Sequence, residues 1–323
     1  MEIGISYSDY YLPSKFMSTK DFYCNLKNFS LPSGYLDIES YCESVYKQKK
    51  ITGIYIEEEK KEIEIFKELV EKFFNTTQVN PEDIDIIIYT KGVPLHENKV
   101  SVPYYIQKIF GLVNATTFNV DQTCGASLMS MHIAETMIRT GNYRSALILS
   151  SSFIKSFDKR NVQITLISDG AGLLYVDNNP QKLVIKDFLS RTTGSTDFSI
   201  ESFTKRENYK ELIRYLQNGS DTIKYLLKRN NIDMDSIKLI SPQNTTYSGW
   251  EIYASLLDIN ISKVFLENIP KGAHMGDVDT IRNITDISAQ NLLNKGEFMI
   301  AYGLGWGSSW NTALLEMRQG SDI

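Results

Sequence analysis

Apolar and polar positions along this chain follow two different periods. Residues 56–75, IEEEKKEIEIFKELVEKFFN, set apolar side chains at helical spacing among dense charge, which predicts an amphipathic surface helix. NPEDIDIIIYT (80–90) ends in a near-continuous β-branched run, the pattern of a strand buried on both faces. FNV (118–120) reads as a short strand and SALILSS (145–151) as a longer one. Between them, CGASLMSMHIAETMIRT (124–140) carries apolar or small residues on every side, so this helix belongs inside the molecule. Gly141 follows as its stop signal. Strand and helix in alternation predict an α/β fold with a sheet covered on both faces.

A faint repeat runs through this pattern. NPEDIDIIIYTKGVP (80–94), preceded by a helix, is matched by NIDMDSIKLISPQNT (231–245) in the same context. NATTFNVDQTCGAS (114–127) leads to a helix, a GNY turn and SALILSS. NISKVFLENIPKGAHMG (260–276) leads to a helix, a KGE turn and the strand FMIAYGLG (298–305). Two copies of one unit then meet near the turn-rich YVDNNPQK (175–182), giving an N-terminal half 1–178 and a C-terminal half 179–323. Cys124 and His274 fall at matching places, each on a loop between a strand and a helix. Two such loops facing each other across a pseudo-twofold axis would bring these side chains together.

Composition narrows the function classes. At 323 residues with 42% hydrophobic and 23% charged residues, the chain can bury a large core and is too apolar for disorder. A net charge of −5 argues against nucleic acid as the main partner. No apolar run approaches the ~18–20 residues that span a bilayer, and the N-terminus lacks a signal-peptide pattern. A cytoplasmic protein is expected, with no membrane partner. Cys24, Cys42 and Cys124 have no zinc-like spacing, so neither a disulfide scaffold nor a cysteine metal site is expected.

The chemistry gathers around few residues. Cys124 is either a small buried hydrophobe or a nucleophile. At the first turn of a helix, aligned peptide dipoles favour a thiolate, and Thr123, Gly125, Ala126 and Ser127 leave room around the sulfur. Cys24 and Cys42 lack that setting. Of the three histidines, His132 lies inside the cysteine helix and reads as a core residue, and His96 reads as a surface loop residue. His274, in GAHMGDVD, has glycines on both sides. It is either a plain loop residue or an imidazole oriented by a carboxylate, with Asp279 or Asp277 as the orienter. Gly303, Gly305 and Gly307 alternate at a strand end, so a backbone N–H there could join that of Cys124 in an oxyanion hole. The same glycines equally suit a tight core, and SDGAG (168–172) reads as a turn or as close packing between the halves. No GxGxxG turn opens a helix, so no dinucleotide fingerprint is present.

Together these segments resemble the thiolase-fold condensing enzymes, specifically the ketoacyl-acyl-carrier-protein synthase III group. ITGI (51–54) is similar to the early R-T-G-I element of that group and VDQTCGAS to its nucleophile loop. ISDGAG (167–172) is similar to its G-D-G-A-G segment and YGLGWG to its glycine-rich C-terminal strand. The resemblance implies a five-layered α/β/α/β/α fold of two pseudo-repeated halves and a homodimer. It also implies that Cys124 takes an acyl group from a pantetheine thioester, with no permanently bound cofactor. The synthases carry P-H-Q-A-N where this chain has SPQNTT, so Gln243 stands at their histidine, and an amide does not shuttle protons at neutral pH. Where they carry an asparagine, this chain reads AHMGDVD. That is similar to the A-H-x-G-x-x-D-Q motif of synthase III-like acyltransferases, with Thr280 in place of the final glutamine.

By this likeness Cys124, His274 and Asp279 form a Cys-His-Asp triad. Gly305 supplies an oxyanion donor, and Gln243 and Asn244 line the site as hydrogen-bond donors. The positions that clasp the coenzyme A adenine in the synthases correspond to Lys47 and Ile51, which favours an acyl carrier protein, or a differently held coenzyme A, as donor. The acceptor would be a hydroxyl or amine of a small natural-product intermediate, entering near residues 20–46 and 190–220. Two other readings stand beside this: a decarboxylative condensing enzyme, and a catalytically silent partner subunit.

Overall fold

The computed structural model describes residues 1–91, 101–162, 164–194, 209–305 and 308–318; His96 and Gly307 lie outside these. The N-terminal strands are β1 (Gly4–Tyr11), β2 (Lys15–Ser18), β3 (Gly53–Ile56), β4 (Ile86–Lys91), β5 (Thr116–Val120), β6 (Ser145–Ser152) and β7 (Gly170–Asp177). Helices α1 (Thr19–Asn25), α2 (Ile38–Lys49), α3 (Glu62–Thr77), α4 (Val102–Ile109) and α5 (Ala126–Arg139) lie among them. The second half supplies β8 (Leu183–Thr192), β9 (Ile237–Ser241), β10 (Phe298–Gly305) and β11 (Ser309–Met317), with α6 (Tyr209–Arg229), α7 (Tyr247–Leu257) and α8 (Val278–Ala289).

Three boundaries differ from the sequence pattern, each for a local reason. The surface helix begins at Glu62 because Ile56 ends β3 and the Glu57 carboxylate accepts from the N–H groups of Glu59 and Lys60, closing a turn. Residues 81–83 form a single 3₁₀ turn capped by Asn80, so the strand starts only at Ile86. Cys124 lies in a separate 3₁₀ turn, Thr123–Gly125, and the α-helix proper begins at Ala126.

Strand pairing repeats between the halves. In the sheet order β5-β4-β6-β7-β1-β8-β11-β10-β9, β4 and β6 are parallel neighbours and so are β9 and β10. Next come antiparallel pairs, β6–β7 and β7–β1 in one half, β10–β11 and β11–β8 in the other. The β4–β5 pairing has only a reduced counterpart, a single parallel bridge from Ile240 to Val264. The halves join edge to edge at β1–β8, where Gly4 faces Val184 and Ile5 faces Leu183.

The sheet folds over at that seam, and both halves present one face to the same two helices. Leu128 and Met131 of α5 and Ile281 and Ile284 of α8 pack with Ile86 and Ile148 from one half and Met299 and Leu315 from the other. Outside, α3 and α4 cover the first half through Ile65, Phe66 and Ile106, and α6 and α7 cover the second through Ile223, Leu226 and Trp250. The result is five layers, α/β/α/β/α. SDGAG is a packing contact between the halves, with Gly170 against Met275 and Gly172 against Ile281. Among the described residues no helix is long and apolar enough to cross a membrane.

Candidate active site

The middle layer places the candidate residues. Its two helices begin side by side, and each is preceded by one of the loops singled out in the sequence. The tight turn that holds Cys124 has Thr123 at a positive φ of 48°. It is tied down from the second half: the Asn311 amide donates to Gln122 Oε1 at 2.6 Å and to the Gly125 carbonyl at 2.9 Å. Gly305 abuts the same turn, and a Cβ there would stand 2.6 Å from the Gln122 carbonyl oxygen, so only glycine lets β10 approach so closely.

The His274 peptide is clamped at both ends by the segment before SDGAG. Its N–H donates to the Leu166 carbonyl at 3.2 Å, and its own carbonyl accepts from Ser168 N–H at 2.8 Å. The imidazole Nε2 then lies 3.3 Å from Cys124 Sγ, and Nδ1 lies 2.5 Å from Asp279 Oδ2. Cys124 is partly exposed, while His274 is 4% and Asp279 0% exposed. Burial alone would push the imidazole down, but the charges of Asp279 and Cys124 outweigh it and hold His274 up to about 10. These charges favour the protonated ring, with Nδ1 facing the carboxylate and Nε2 facing the sulfur.

Asp279 is held by several donors besides the imidazole. Asn244 donates to it from backbone N–H at 2.8 Å and from its side-chain amide at 3.2 Å, and Met275 N–H donates at 2.9 Å. Asn283 donates to Asn244 Oδ1 at 3.0 Å and accepts from Asn268 at 2.9 Å, extending the support inward. Asp277, the alternative orienter, turns away and accepts a hydrogen bond from Thr90 instead.

Gln243 and Asn244 spend their donors on other residues of the site, Asn244 on Asp279 and Gln243 on main-chain carbonyls. Gln243 Nε2 donates to the Cys124 carbonyl at 2.6 Å and to the Leu304 carbonyl at 2.9 Å, bracing the cysteine turn against β10. Its Oε1 is buried without a partner. Gln243 also lines a cavity of about 280 Å³ between α2, α6 and α7, walled by Tyr215, Leu216, Trp250, Tyr253 and Leu304. Gln48 and Lys49 stand in its wall, just past the 20–46 stretch, and Leu212 and Tyr215 come from within 190–220. Ile51 is fully buried, and Lys47 shares a separate open groove with Cys42. His132 stacks on Phe188 at 4.3 Å on the far side of α5, away from the cysteine turn.

No pattern along the chain marks Asn311, Asn283 or Leu166 as parts of this site. Each acts through a buried hydrogen bond to a residue far along the chain, and neither a lone asparagine in strand β11 or helix α8 nor the main-chain carbonyl of Leu166 carries a local pattern.

Comparison with known proteins agrees with this architecture. A family model described as FAE1/Type III polyketide synthase-like protein matches residues 30–158. The β-ketoacyl-[acyl-carrier-protein] synthase III of Clostridium acetobutylicum is 24% identical over 263 residues, covering 74% of this chain and 79% of its own length. That of Haemophilus influenzae is 20% identical, covering 77% and 82%. The 3-oxoacyl-[acyl-carrier-protein] synthase III of Aquifex aeolicus superposes with a TM-score of 0.80 at 16% identity, covering 97% of this chain and 99% of its own. ChlB3, an acyltransferase, superposes with a TM-score of 0.83 at 16% identity, covering 99% and 98%. The fold is that of the thiolase-like enzymes that condense or transfer acyl groups. Within it, the chain is similar in sequence to the ketoacyl-acyl-carrier-protein synthase III enzymes among these comparisons.

Proposed function

We propose that the chain is an acyltransferase of the synthase III type, taking an acyl group from a pantetheine thioester onto Cys124 and passing it to a hydroxyl or amine. The observation that carries this is the line Cys124 Sγ, His274, Asp279, with contacts of 3.3 and 2.5 Å. In the resting site the proton sits on His274 and the sulfur is the nucleophile. Attack on the thioester carbonyl forms the Cys124 thioester and expels the pantetheine sulfur, which leaves as a thiol with the His274 proton. The imidazole is now neutral. It accepts a proton from the acceptor X–H as X attacks the acyl carbon, and the Cys124 thiolate departs, restoring the starting pair. Cys124 N–H and Gly305 N–H are the candidate oxyanion donors in both steps.

The residue at 243 supports acyl transfer over carbon–carbon condensation. A condensing site needs free donors on an enolate oxygen, and both amide hydrogens of Gln243 are bound to backbone carbonyls. The donor is an acyl carrier protein or coenzyme A thioester, and the enzyme works as a homodimer. A decarboxylative condensing enzyme is the second reading, favoured by the names of the relatives. Intact-mass analysis with a panel of acyl-carrier-protein and coenzyme A thioesters tests both. An adduct on Cys124, with no carbon dioxide from malonyl thioester, supports acyl transfer. Carbon dioxide release supports condensation, and no adduct with any donor supports a silent partner subunit.

A further inference from the structure

Asp277 is the residue between His274 and Asp279 that the proposed reaction does not use. It occupies the N-cap position of α8 but does not cap its own helix. Its carboxyl crosses instead to the end of β4 and accepts from the Thr90 hydroxyl, while its backbone carbonyl accepts from Ser127 of α5 at 2.8 Å. Asp277 is fully buried. Among the described residues neither its second oxygen, Oδ1, nor the Ser150 hydroxyl of β6 makes a well-formed hydrogen bond, though that hydroxyl still favours the ionised carboxyl.

We infer that Asp277 works as an uncharged carboxylic acid, a positioning residue that pins the His274 loop to β4 and to the nucleophile helix. Ionised, it would be a buried charge met by hydroxyls and paired with no cation, a costly state. Among the described residues the side chains that meet it from the packed elements are hydroxyls, Thr90 from β4, Ser150 from β6 and Ser127 from α5, and His274 on its own loop is paired with Asp279 instead. Lys91 is turned to Glu62, Tyr89 faces Asp277 only through its phenol, and Asp279 on the same helix repels. Protonated, Oδ1 becomes an O–H that can donate to Ser150. Burial, opposed by the Thr90 and Ser150 hydroxyls, pushes this carboxyl up to about 7. The consequence for catalysis rests on the acyl-transfer reading; the clamp itself does not.

The test uses the full chain as wild type, Asp277→Asn, Asp277→Ala and Thr90→Val. Iodoacetamide alkylation is followed at Cys124 by peptide mass mapping, because Cys24 and Cys42 also carry free thiols. Asp277→Asn, neutral and of the same shape, should react within about twofold of wild type at pH 6. Asp277→Ala and Thr90→Val should react roughly tenfold more slowly, because a displaced imidazole no longer meets the sulfur. Melting temperature against pH reads the charge. Wild type should lose stability as pH rises from about 4 to about 7, because the folded chain keeps a proton that the unfolded chain releases. Asp277→Asn should lack that slope. An asparagine variant as slow as the alanine, an alanine variant as fast as wild type, or an unchanged pH slope in Asp277→Asn would each overturn the inference. Should Asp277→Ala not fold, Thr90→Val and Asp277→Asn decide the matter. Iodoacetamide needs no acyl donor, so failure of the acyl-transfer reading would show separately, as thioesters that leave Cys124 unmodified.

Discussion

Gln243 Nε2 lies 2.6 Å from the carbonyl oxygen of Cys124, so this amide grips the main chain of the cysteine turn. The same amide reaches the Leu304 carbonyl at 2.9 Å, which ties β10 to the cysteine turn. Gln243→Met keeps the length and removes both donors. It should cost about 1–3 kcal/mol per buried carbonyl left unpaired, measured by urea denaturation. Gln243→His should not restore carbon dioxide release from malonyl thioester, because the site around it is built to hold an amide.

His274→Ala removes the proton carrier of both half-reactions. Acylation of Cys124 and transfer to the acceptor should each slow by roughly 10²- to 10⁴-fold in single-turnover measurements. Asp279→Asn should slow transfer too, because the amide no longer holds the imidazolium or its tautomer. Unchanged single-turnover rates in both variants would remove His274 and Asp279 from the mechanism.

Proton linkage at His274 gives a second pH signature, distinct from that of Asp277. The ordinary value is 6.5 and the folded value about 10, so the folded chain holds a proton across that interval which the unfolded chain has lost. The stability this pair contributes is complete below about pH 6.5 and drains away as pH climbs through about 10. His274→Gln should flatten the melting temperature between pH 7 and 10 while leaving the slope at lower pH in place.

Much of this was legible from the chain alone, and the physical reason differs from part to part. The buried helix after Cys124 and the strands at 86–91, 145–152 and 298–305 show because hydrophobic periodicity is local. The pairing of His274 with Asp279 showed as a spacing of five residues on one loop, though that spacing did not exclude Asp277. What stayed hidden depends on contacts across the fold. Spacing could not tell that the Gln243 donors point at two main-chain carbonyls, nor that Leu166 and Ser168 hold the His274 peptide. The starts of α3 and β4 moved along the chain because Glu57 and Asn80 closed turns that periodicity does not register.

Asp169 of SDGAG anchors the frame around the site. Arg160 grips it with two hydrogen bonds of 2.8 and 2.7 Å, and it also accepts from Glu57 and Ile154 N–H groups, all in the interior. Asp169→Ala leaves an uncompensated guanidinium and should destabilise the fold by about 3–5 kcal/mol in equilibrium denaturation. Replacing both partners with apolar residues of similar volume should cost less than that single change.

Gly4 faces Val184 at the narrow seam between the halves, and a Cβ there would stand 1.9 Å from the Leu183 carbonyl oxygen. Sulfur and imidazole reside on opposite sides of that seam in the chain, one in each copy of the repeat. A newly made polypeptide whose later copy has not yet docked therefore owns a cysteine with no ring to activate it. Under the proposed mechanism the thiol is activated only once both halves have docked, so the rate of its alkylation reports completed assembly.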